Sequence, residues 1–161
     1  LGGAFAARGI SVRYGVPDPA RHAALAGTRT SVHAVAEALD GAGLAILATP
    51  YPAALEVAAA IPDWGGRVLV DATNPIAPGL SGLTVGTTTS GAEQIAARAR
   101  GARVTKAFNT TGYENMADAA YAAGALFMPV AGDDDEARAR TIALARLIGF
   151  DAVDLGPLAA A

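Results

Sequence analysis

The chain of 161 residues is long enough for one domain with a hydrophobic core, rather than two. Its formal net charge of −3 disfavours nucleic acid as a partner, and its lack of cysteine excludes disulfide bonds and thiolate metal sites. Hydrophobic residues make up 52% of the sequence, but polar residues and prolines interrupt its longest apolar region, residues 41–62, so we expect a cytoplasmic protein without a membrane span.

The sequence begins with patterns typical of short secondary-structure elements. Residues 1–9 are rich in alanine and end in glycine, which predicts a short helix. Residues 10–15 alternate between apolar and polar side chains, as a half-buried strand does. Pro17 and Pro19 then favour the start of a helix over residues 20–26, because proline is common in the first turn of helices.

Two further strand–helix pairs are predicted in the next part of the chain. A weak strand at residues 28–30 leads into a helix that ends at Leu39, and Ser31 is the expected N-cap of that helix. The aliphatic residues 44–48 predict a buried strand, and residues 52–60 predict the helix that follows it.

The middle of the chain contains the run most typical of a buried parallel strand. Residues 67–71 are largely aliphatic, end in aspartate and show no helical period. After a loop rich in Gly, Ser and Thr, residues 91–100 predict a helix, for which Ser90 and Glu93 are expected to form a capping box. Residues 103–108 predict another strand.

The last third of the chain predicts two strands around a long helix. Residues 113–123 suit a helix or an irregular segment, and residues 126–131 and 151–155 are typical of strands. Residues 133–147 predict the clearest helix of the chain. Acidic residues lie at its start and Arg146 lies near its end, which complements the helix dipole.

The alternation of strands and helices predicts a single α/β domain, residues 1–161, with a doubly wound and mostly parallel sheet. Ligands of such sheets bind beyond the carboxyl ends of the strands. Polar residues and prolines, with one tyrosine, follow three of the predicted strands. They are Thr49, Pro50 and Tyr51, then Asn74 and Pro75, then Asn109, Thr110 and Thr111. We therefore expect these residues to line one shared crevice.

Several residues allow a structural role as well as a functional one. Asp71 and Asn74 either bind polar groups of a ligand or form turns bonded to their own backbone. Pro50 either lines the crevice or only begins the next helix. Lys106, the only lysine, either serves the crevice or extends its ammonium to water. The acidic residues 133–136 favour a helix cap over a cation site, and no metal site is expected.

Six groups of residues occur in a fixed order along the chain. They are residues 71–75, 81–86, 88–93, 106–110, 132–134 and 154–158. Together they resemble the NADP oxidoreductases that depend on coenzyme F420. This resemblance implies a Rossmann-type NAD(P)-binding domain in which NADPH and the deazaflavin lie face to face and exchange a hydride.

The sequence also departs from that family. The family begins with a strand and a glycine-rich turn, and it continues with C-terminal helices that contribute to the deazaflavin site and to dimerisation. Neither feature is present here, so we expect a fragment truncated at both ends, whose full-length form is a homodimer. The strands at residues 10–15 and 44–48 would then each lose a hydrogen-bond partner.

The segment after residues 10–15 is where the family recognises the adenosine ribose of the cofactor. Related reductases that prefer NADPH have Ser or Thr followed by Arg here, whereas this chain has Val16 and Pro17. Arg21 aligns with a basic residue that reaches the 2′-phosphate in the family, and a guanidinium suits phosphate. We expect NADP, with NAD as the alternative cofactor, and Arg21 as a phosphate ligand or an ordinary solvated residue.

No arrangement of residues indicates a catalytic acid, base or nucleophile. Hydride transfer between two bound cofactors requires none, because the cofactors supply the chemistry and the protein orients them. Three functions remain open. They are an F420-dependent NADP reductase, an NADPH-dependent reductase with another acceptor (a flavin, ferric ion or an imine), and a degenerate nucleotide-binding domain without catalysis.

Overall fold

A computed structural model of the protein describes residues 1–122 and 124–161. The strands in these residues are β1 (Val12–Gly15), β2 (Thr30–His33), β3 (Leu44–Leu47), β4 (Val68–Asp71), β5 (Arg103–Lys106), β6 (Ala120–Tyr121), β7 (Gly124–Ala125), β8 (Phe127–Gly132) and β9 (Asp151–Gly156). The helices are α1 (Gly2–Ala7), α2 (Val35–Ala38), α3 (Tyr51–Ala60), α4 (Gly91–Arg98) and α5 (Asp135–Leu147). Short 3-10 turns occur at Ala23–Leu25, Pro78–Leu80, Tyr113–Met116 and Leu158–Ala160.

The main sheet has five strands in the order β3-β4-β5-β8-β9. Strands β3, β4 and β5 are parallel, and their last residues Leu47, Asp71 and Lys106 lie side by side in the register. Strand β8 runs antiparallel to β5, and β9 runs parallel to β8. Because β3, β4 and β5 end together, the loops that follow them emerge at one edge, which we call the carboxyl edge.

Two smaller sheets accompany the main one. Strands β1 and β2 form a parallel pair, and β6 and β7 form a short antiparallel pair. In the described part of the chain, β1 hydrogen-bonds only to β2 and β3 only to β4, so each of them is the edge strand of its sheet.

The core lies on both faces of the main sheet. Strand β4 is buried throughout, and its side chains alternate between two apolar clusters. Leu69 packs with Trp64 and Ile95, on the face covered by α3 and α4. Val68 and Val70 lie in the opposite cluster, which also contains residues of α1 and α5. Helices on both faces of a mostly parallel sheet confirm the predicted doubly wound α/β fold.

The strands predicted at residues 10–15, 44–48, 67–71, 103–108, 126–131 and 151–155 are present, as are the predicted helices around residues 2–7, 51–60, 91–98 and 135–147, whereas the strand predicted at residues 28–30 shares only Thr30 with β2. The capping box is also confirmed: the Glu93 backbone N–H donates to Ser90 Oγ over 3.1 Å, and the Ser90 N–H donates to Glu93 Oε2 over 2.6 Å. These features depend on patterns within a few residues, which is why the sequence predicts them.

Two predictions for the first 40 residues were wrong. The helix expected over residues 20–26 is only the 3-10 turn Ala23–Leu25, which buries no residue and therefore lacks the tertiary packing that a short helix needs. Ser31 is not an N-cap but lies inside β2, opposite Arg13 of β1. Pairing with β1 extends the strand to His33, and α2 begins only after Ala34.

The segment predicted as helical or irregular over residues 113–123 forms the 3-10 turn Tyr113–Met116 and then strand β6. Its last position, residue 123, lies outside the described residues. In the part of the chain that the structure describes, no helix combines the length and the apolar character that crossing a membrane would require.

Candidate functional site at the carboxyl edge

Polar residues from three strand ends lie at the carboxyl edge. Thr49 follows β3, Asn74 follows β4 and Asn109 follows β5. The three strands are neighbours and parallel, so these residues leave the sheet on the same side. This edge is the place where open α/β sheets bind their ligands.

Asn74 and Asn109 bond directly to each other across this edge. The Asn74 side-chain amide donates to the backbone oxygen of Asn109 over 2.9 Å, and the Asn109 amide donates to Asn74 Oδ1 over 3.3 Å. Asn74 is exposed and Asn109 is half-buried. Each amide has a second N–H, so the pair can still donate to a ligand while it stays bridged.

A buried ion pair lies directly below this bridge. Lys106 Nζ donates to Asp71 Oδ2 over 2.8 Å and also to the backbone oxygen of Thr73. The other carboxylate oxygen, Asp71 Oδ1, accepts the backbone N–H and the hydroxyl of Thr73 over 2.8 and 2.7 Å. The Asp71 side chain therefore forms a turn with the backbone of Thr73, two residues later in the chain. The Lys106 ammonium bonds to the protein instead of extending to water.

The chain leaves β5 through a strained residue. Phe108 has a φ of +65°, in the left-handed region that a bulky side chain rarely adopts. Its ring is buried edge-on against Phe5 and Phe150, and its N–H points to Met128 Sδ over 3.0 Å. These contacts fix the residue immediately before Asn109, so they determine the direction in which the Asn109 loop continues.

Tyr51 contacts the protein more than the solvent. Tyr51 is the first residue of α3 and follows Pro50. It is only 7% exposed, and its hydroxyl donates to Gln94 Oε1 over 2.9 Å. Burial raises the pKa of the Tyr51 phenol above its ordinary value. Thr49, in contrast, is exposed, and its hydroxyl bonds only to the neighbouring Pro50 carbonyl over 3.3 Å among the described residues.

The residues expected near the adenosine ribose follow β1. Val16 is half-buried and donates its N–H to the His33 oxygen over 3.0 Å, and Pro17 is exposed. Arg21 is exposed, and only its backbone N–H is bonded, to Asp18 Oδ1 over 3.2 Å. Within residues 1–122 and 124–161, the Arg21 guanidinium has no hydrogen-bond or ion-pair partner. It is therefore available to an anionic ligand.

The loop that continues from Asn109 combines polar and apolar groups. Thr110 is exposed, and Thr111 Oγ1 accepts a hydrogen bond of 2.6 Å from Asn115, which in turn accepts the hydroxyl of Tyr121. Exposed apolar side chains occur in the same loop, in the loop after β4 and at the start of β8. The start of β8 lies at the carboxyl edge because β8 runs antiparallel to β5. These exposed side chains are Ile76, Leu80, Leu83, Tyr113, Tyr121 and Phe127.

The acidic residues 133–136 lie at the opposite edge of the sheet. Asp134 caps α5 by accepting the Ala137 N–H over 2.7 Å, and Asp133 accepts the Leu158 N–H over 2.8 Å. Among the residues that the structure describes, no group of three or more His, Asp or Glu side chains could coordinate a metal ion. The Asp134 bond to the Ala137 N–H confirms the cap interpretation of this run.

The sequence alone did not indicate three contributors to this edge. Gln94 lies on α4, 43 positions from Tyr51, and Met128 lies on β8, 20 positions from Phe108. The left-handed backbone of Phe108 has no local signal either, because neither glycine nor asparagine occupies the position. A bond between distant segments leaves no pattern within either segment.

Comparisons with known proteins agree with this architecture. Residues 1–75 match the family described as NADP oxidoreductase, coenzyme F420-dependent. That range includes Val16, Pro17, Arg21 and the segments from Thr49 to Tyr51 and from Asn74 to Pro75. No curated protein matches the chain significantly.

Solved structures extend the similarity over nearly the whole chain. A hypothetical protein from Sinorhizobium meliloti has a TM-score of 0.86 and 29% identity, over 98% of this chain and 78% of that one. A putative F420-dependent NADP reductase from Arthrobacter sp. FB24 has a TM-score of 0.76 and 28% identity, over 97% and 78%. A UDP-glucose dehydrogenase from Pyrobaculum islandicum shares the fold alone, with a TM-score of 0.50 and 15% identity over 82% and 33%. The fold is therefore Rossmann-like.

Proposed function

We propose that this chain, whose first 75 residues match the F420-dependent NADP oxidoreductases, transfers a hydride between NADP(H) and coenzyme F420. The observation that carries the proposal is the Asn74–Asn109 bridge at the carboxyl edge. It sets two amides with spare donors at the point where Rossmann-type sheets bind the reactive end of a dinucleotide.

The proposed cofactor-binding residues divide into two groups. Val16, Pro17 and Arg21 would contact the adenosine part, with the Arg21 guanidinium on the 2′-phosphate of NADP. The second group would hold the nicotinamide and its ribose. It comprises Thr49, Pro50, Tyr51, Asn74, Pro75, Asn109, Thr110 and Thr111. The neutral amides, hydroxyls and backbone groups of the second group suit a carboxamide and ribose hydroxyls.

No catalytic side chain is assigned. When both cofactors are bound they supply the chemistry: NADPH gives a hydride to the oxidised deazaflavin, which also takes up one proton from water. The residues of the carboxyl edge would orient the two rings and exclude solvent. The exposed apolar side chains around this edge, Leu80 and Tyr113 among them, support an acceptor with a partly apolar ring.

The proposal also includes a cytoplasmic location and a homodimeric full-length protein. Light scattering on the full-length protein tests the second point. A molar mass of one chain at micromolar concentration would contradict the homodimer without affecting the hydride-transfer proposal.

The decisive experiment mixes the protein with NADPH and oxidised F420 and follows the loss of deazaflavin absorbance. Loss of absorbance that saturates with NADPH is expected, whereas turnover no faster than the protein-free reaction contradicts the F420 assignment. Parallel reactions with a flavin, ferric citrate and a cyclic imine identify the other class of reductase. Titration of NADPH against the 161-residue chain, with no acceptor, detects nucleotide binding that is separate from catalysis.

A further inference from the structure

The ion pair below the Asn74–Asn109 bridge joins two neighbouring strands at their last residues. Asp71 ends β4, Lys106 ends β5, and the two face each other in the parallel register. The Asp71 side chain is fully buried, and 9% of the Lys106 side chain is exposed. Such a pair is costly to bury unless hydrogen bonds satisfy its remaining donors and acceptors.

Those remaining bonds converge on the backbone of Thr73. The Lys106 ammonium donates to the Thr73 oxygen, while Asp71 Oδ1 accepts both the N–H and the hydroxyl of Thr73. Both polar groups of the Thr73 backbone are therefore bonded to the pair. The following residue is Asn74, so the pair fixes the peptide from which the Asn74 amide projects.

Other bonds hold the two ends of this loop: the Ala72 N–H donates to the Leu47 oxygen over 3.1 Å, and the Pro75 oxygen accepts the N–H and the hydroxyl of Thr84 over 2.8 and 3.1 Å. Between these ends, among the described residues, the backbone groups of Thr73 bond to the ion pair alone.

Backbone pairing between β4 and β5 ends with the Ala107 N–H, which donates to the Asp71 oxygen over 3.2 Å. Beyond that bond, among the described residues, Asn74 and Asn109 are joined only through the Asn74 side chain. The orientation of that exposed side chain depends on the backbone below it.

We propose that the Lys106–Asp71 ion pair is a positioning element, which holds the backbone of Thr73 so that the next residue, Asn74, bridges to Asn109 and presents its spare N–H to the ligand. The consequence for turnover rests on the proposed function. The effect on the loop does not, because it is a property of the protein without ligand.

The test compares the protein with Lys106→Met and with the double variant Asp71→Leu/Lys106→Met. The single variant leaves a buried carboxylate without its partner, so it is expected to lose much stability and could fail to fold. The double variant leaves no buried charge, but Leu is larger than Asp and the buried N–H and hydroxyl of Thr73 lose their acceptor. It is therefore expected to be less stable than the wild-type protein and more stable than Lys106→Met.

The loop is measured through the Ile76 amide, which donates to the Asn74 oxygen over 2.8 Å and not to either member of the pair. In the folded double variant, this amide is expected to exchange with solvent at least tenfold faster than in the wild type. The kcat/KM for NADPH is expected to fall at least tenfold, mainly through KM. Wild-type exchange at Ile76, or faster exchange with unchanged kcat/KM, would overturn the proposal.

Thr105→Val is the matched control. Thr105 is a fully buried polar residue next to Lys106 on the same strand, but its hydroxyl bonds to Thr141 of α5 over 2.9 Å, away from the carboxyl edge. This variant should lose stability and keep wild-type exchange at Ile76 and wild-type KM. If the wild-type protein neither binds NADPH nor turns over, the proposed function has failed, and the exchange of Ile76 by itself decides for or against the positioning role.

Discussion

The ring of Tyr51 lies directly over Gly91, so that a Cβ atom at position 91 would stand 3.1 Å from Tyr51 Cε2. The same Cβ would stand 3.5 Å from Pro75 Cγ. The start of α3, the loop after β4 and the start of α4 therefore meet at one glycine. Because Gln94 holds the hydroxyl end of Tyr51, the ring cannot easily move aside.

Gly91→Ala is expected to destabilise the protein by about 1 kcal/mol, since the cost of overpacking exceeds the gain in helix propensity. Thermal unfolding measures the change. Gly3→Ala in α1 is the control, because a Cβ there meets nothing within 4 Å, and it should leave the melting temperature unchanged or raise it. A more stable Gly91→Ala variant would show that the Tyr51 ring is free to shift.

Tyr51→Phe removes only the hydroxyl that bonds Gln94. We expect a loss of about 1 kcal/mol of unfolding free energy, the usual net contribution of one hydrogen bond. If Tyr51 contributes to the cofactor site through its ring, the Kd for NADPH should change less than about twofold, well below 1 kcal/mol. A much larger increase in Kd at unchanged stability would show that the hydroxyl itself meets the cofactor.

The Asn74–Asn109 bridge predicts non-additive effects on turnover. Asn74→Ala and Asn109→Ala should each lower kcat/KM for NADPH by roughly tenfold, which corresponds to about 1.4 kcal/mol. The double variant should lose less than the product of the two, because each single change already breaks the shared bonds. Strictly multiplicative losses would mean that the two side chains act independently.

If Arg21 binds the 2′-phosphate, the protein should prefer NADPH to NADH, because only NADPH carries that phosphate. Arg21→Ala should raise the Kd for NADPH by about 10- to 100-fold, because a hydrogen bond to a charged group contributes about 1.5–3 kcal/mol. The Kd for NADH should stay the same. Arg100→Ala removes an equal charge from an exposed position before β5, away from the carboxyl edge, and should affect neither cofactor. Equal losses for NADPH and NADH would place the 2′-phosphate elsewhere.

The capping box of α4 predicts a dependence of stability on pH. The Ser90 backbone N–H, which donates to the Glu93 carboxylate, holds the pKa of Glu93 below its ordinary value of 4.5. A carboxylate with a lowered pKa in the folded state stabilises the protein fully above pH 4.5 and loses that effect as the pH falls through the folded-state pKa.

Urea unfolding of wild-type protein and Glu93→Gln measures this effect. Glutamine retains the shape of the capping box but not its charge. The wild-type midpoint should be the higher one at pH 7, and the two midpoints should converge as the pH falls below 4.5. A gap of constant size across this range would rule out the titration of Glu93 as its cause.

Prediction from the sequence succeeded for elements whose structure depends only on residues close together in the chain. The aliphatic run of β4 and the Ser90–Glu93 capping box are set by neighbouring residues, and both are present in the structure. It failed for the first 40 residues, where α2 and the turn at Ala23–Leu25 are short. In such segments tertiary pairing decides between strand and helix, because local preferences are too weak.

The sequence by itself determined the class of fold and the edge at which polar residues collect, since strand–helix alternation and the composition of strand ends are local properties. Only the tertiary structure decided which of these residues bond to each other. The Asp71–Lys106 and Asn74–Asn109 contacts each join positions 35 residues apart. Such contacts follow from the register of β4 against β5, which the packing of the whole core fixes and no single stretch of sequence encodes.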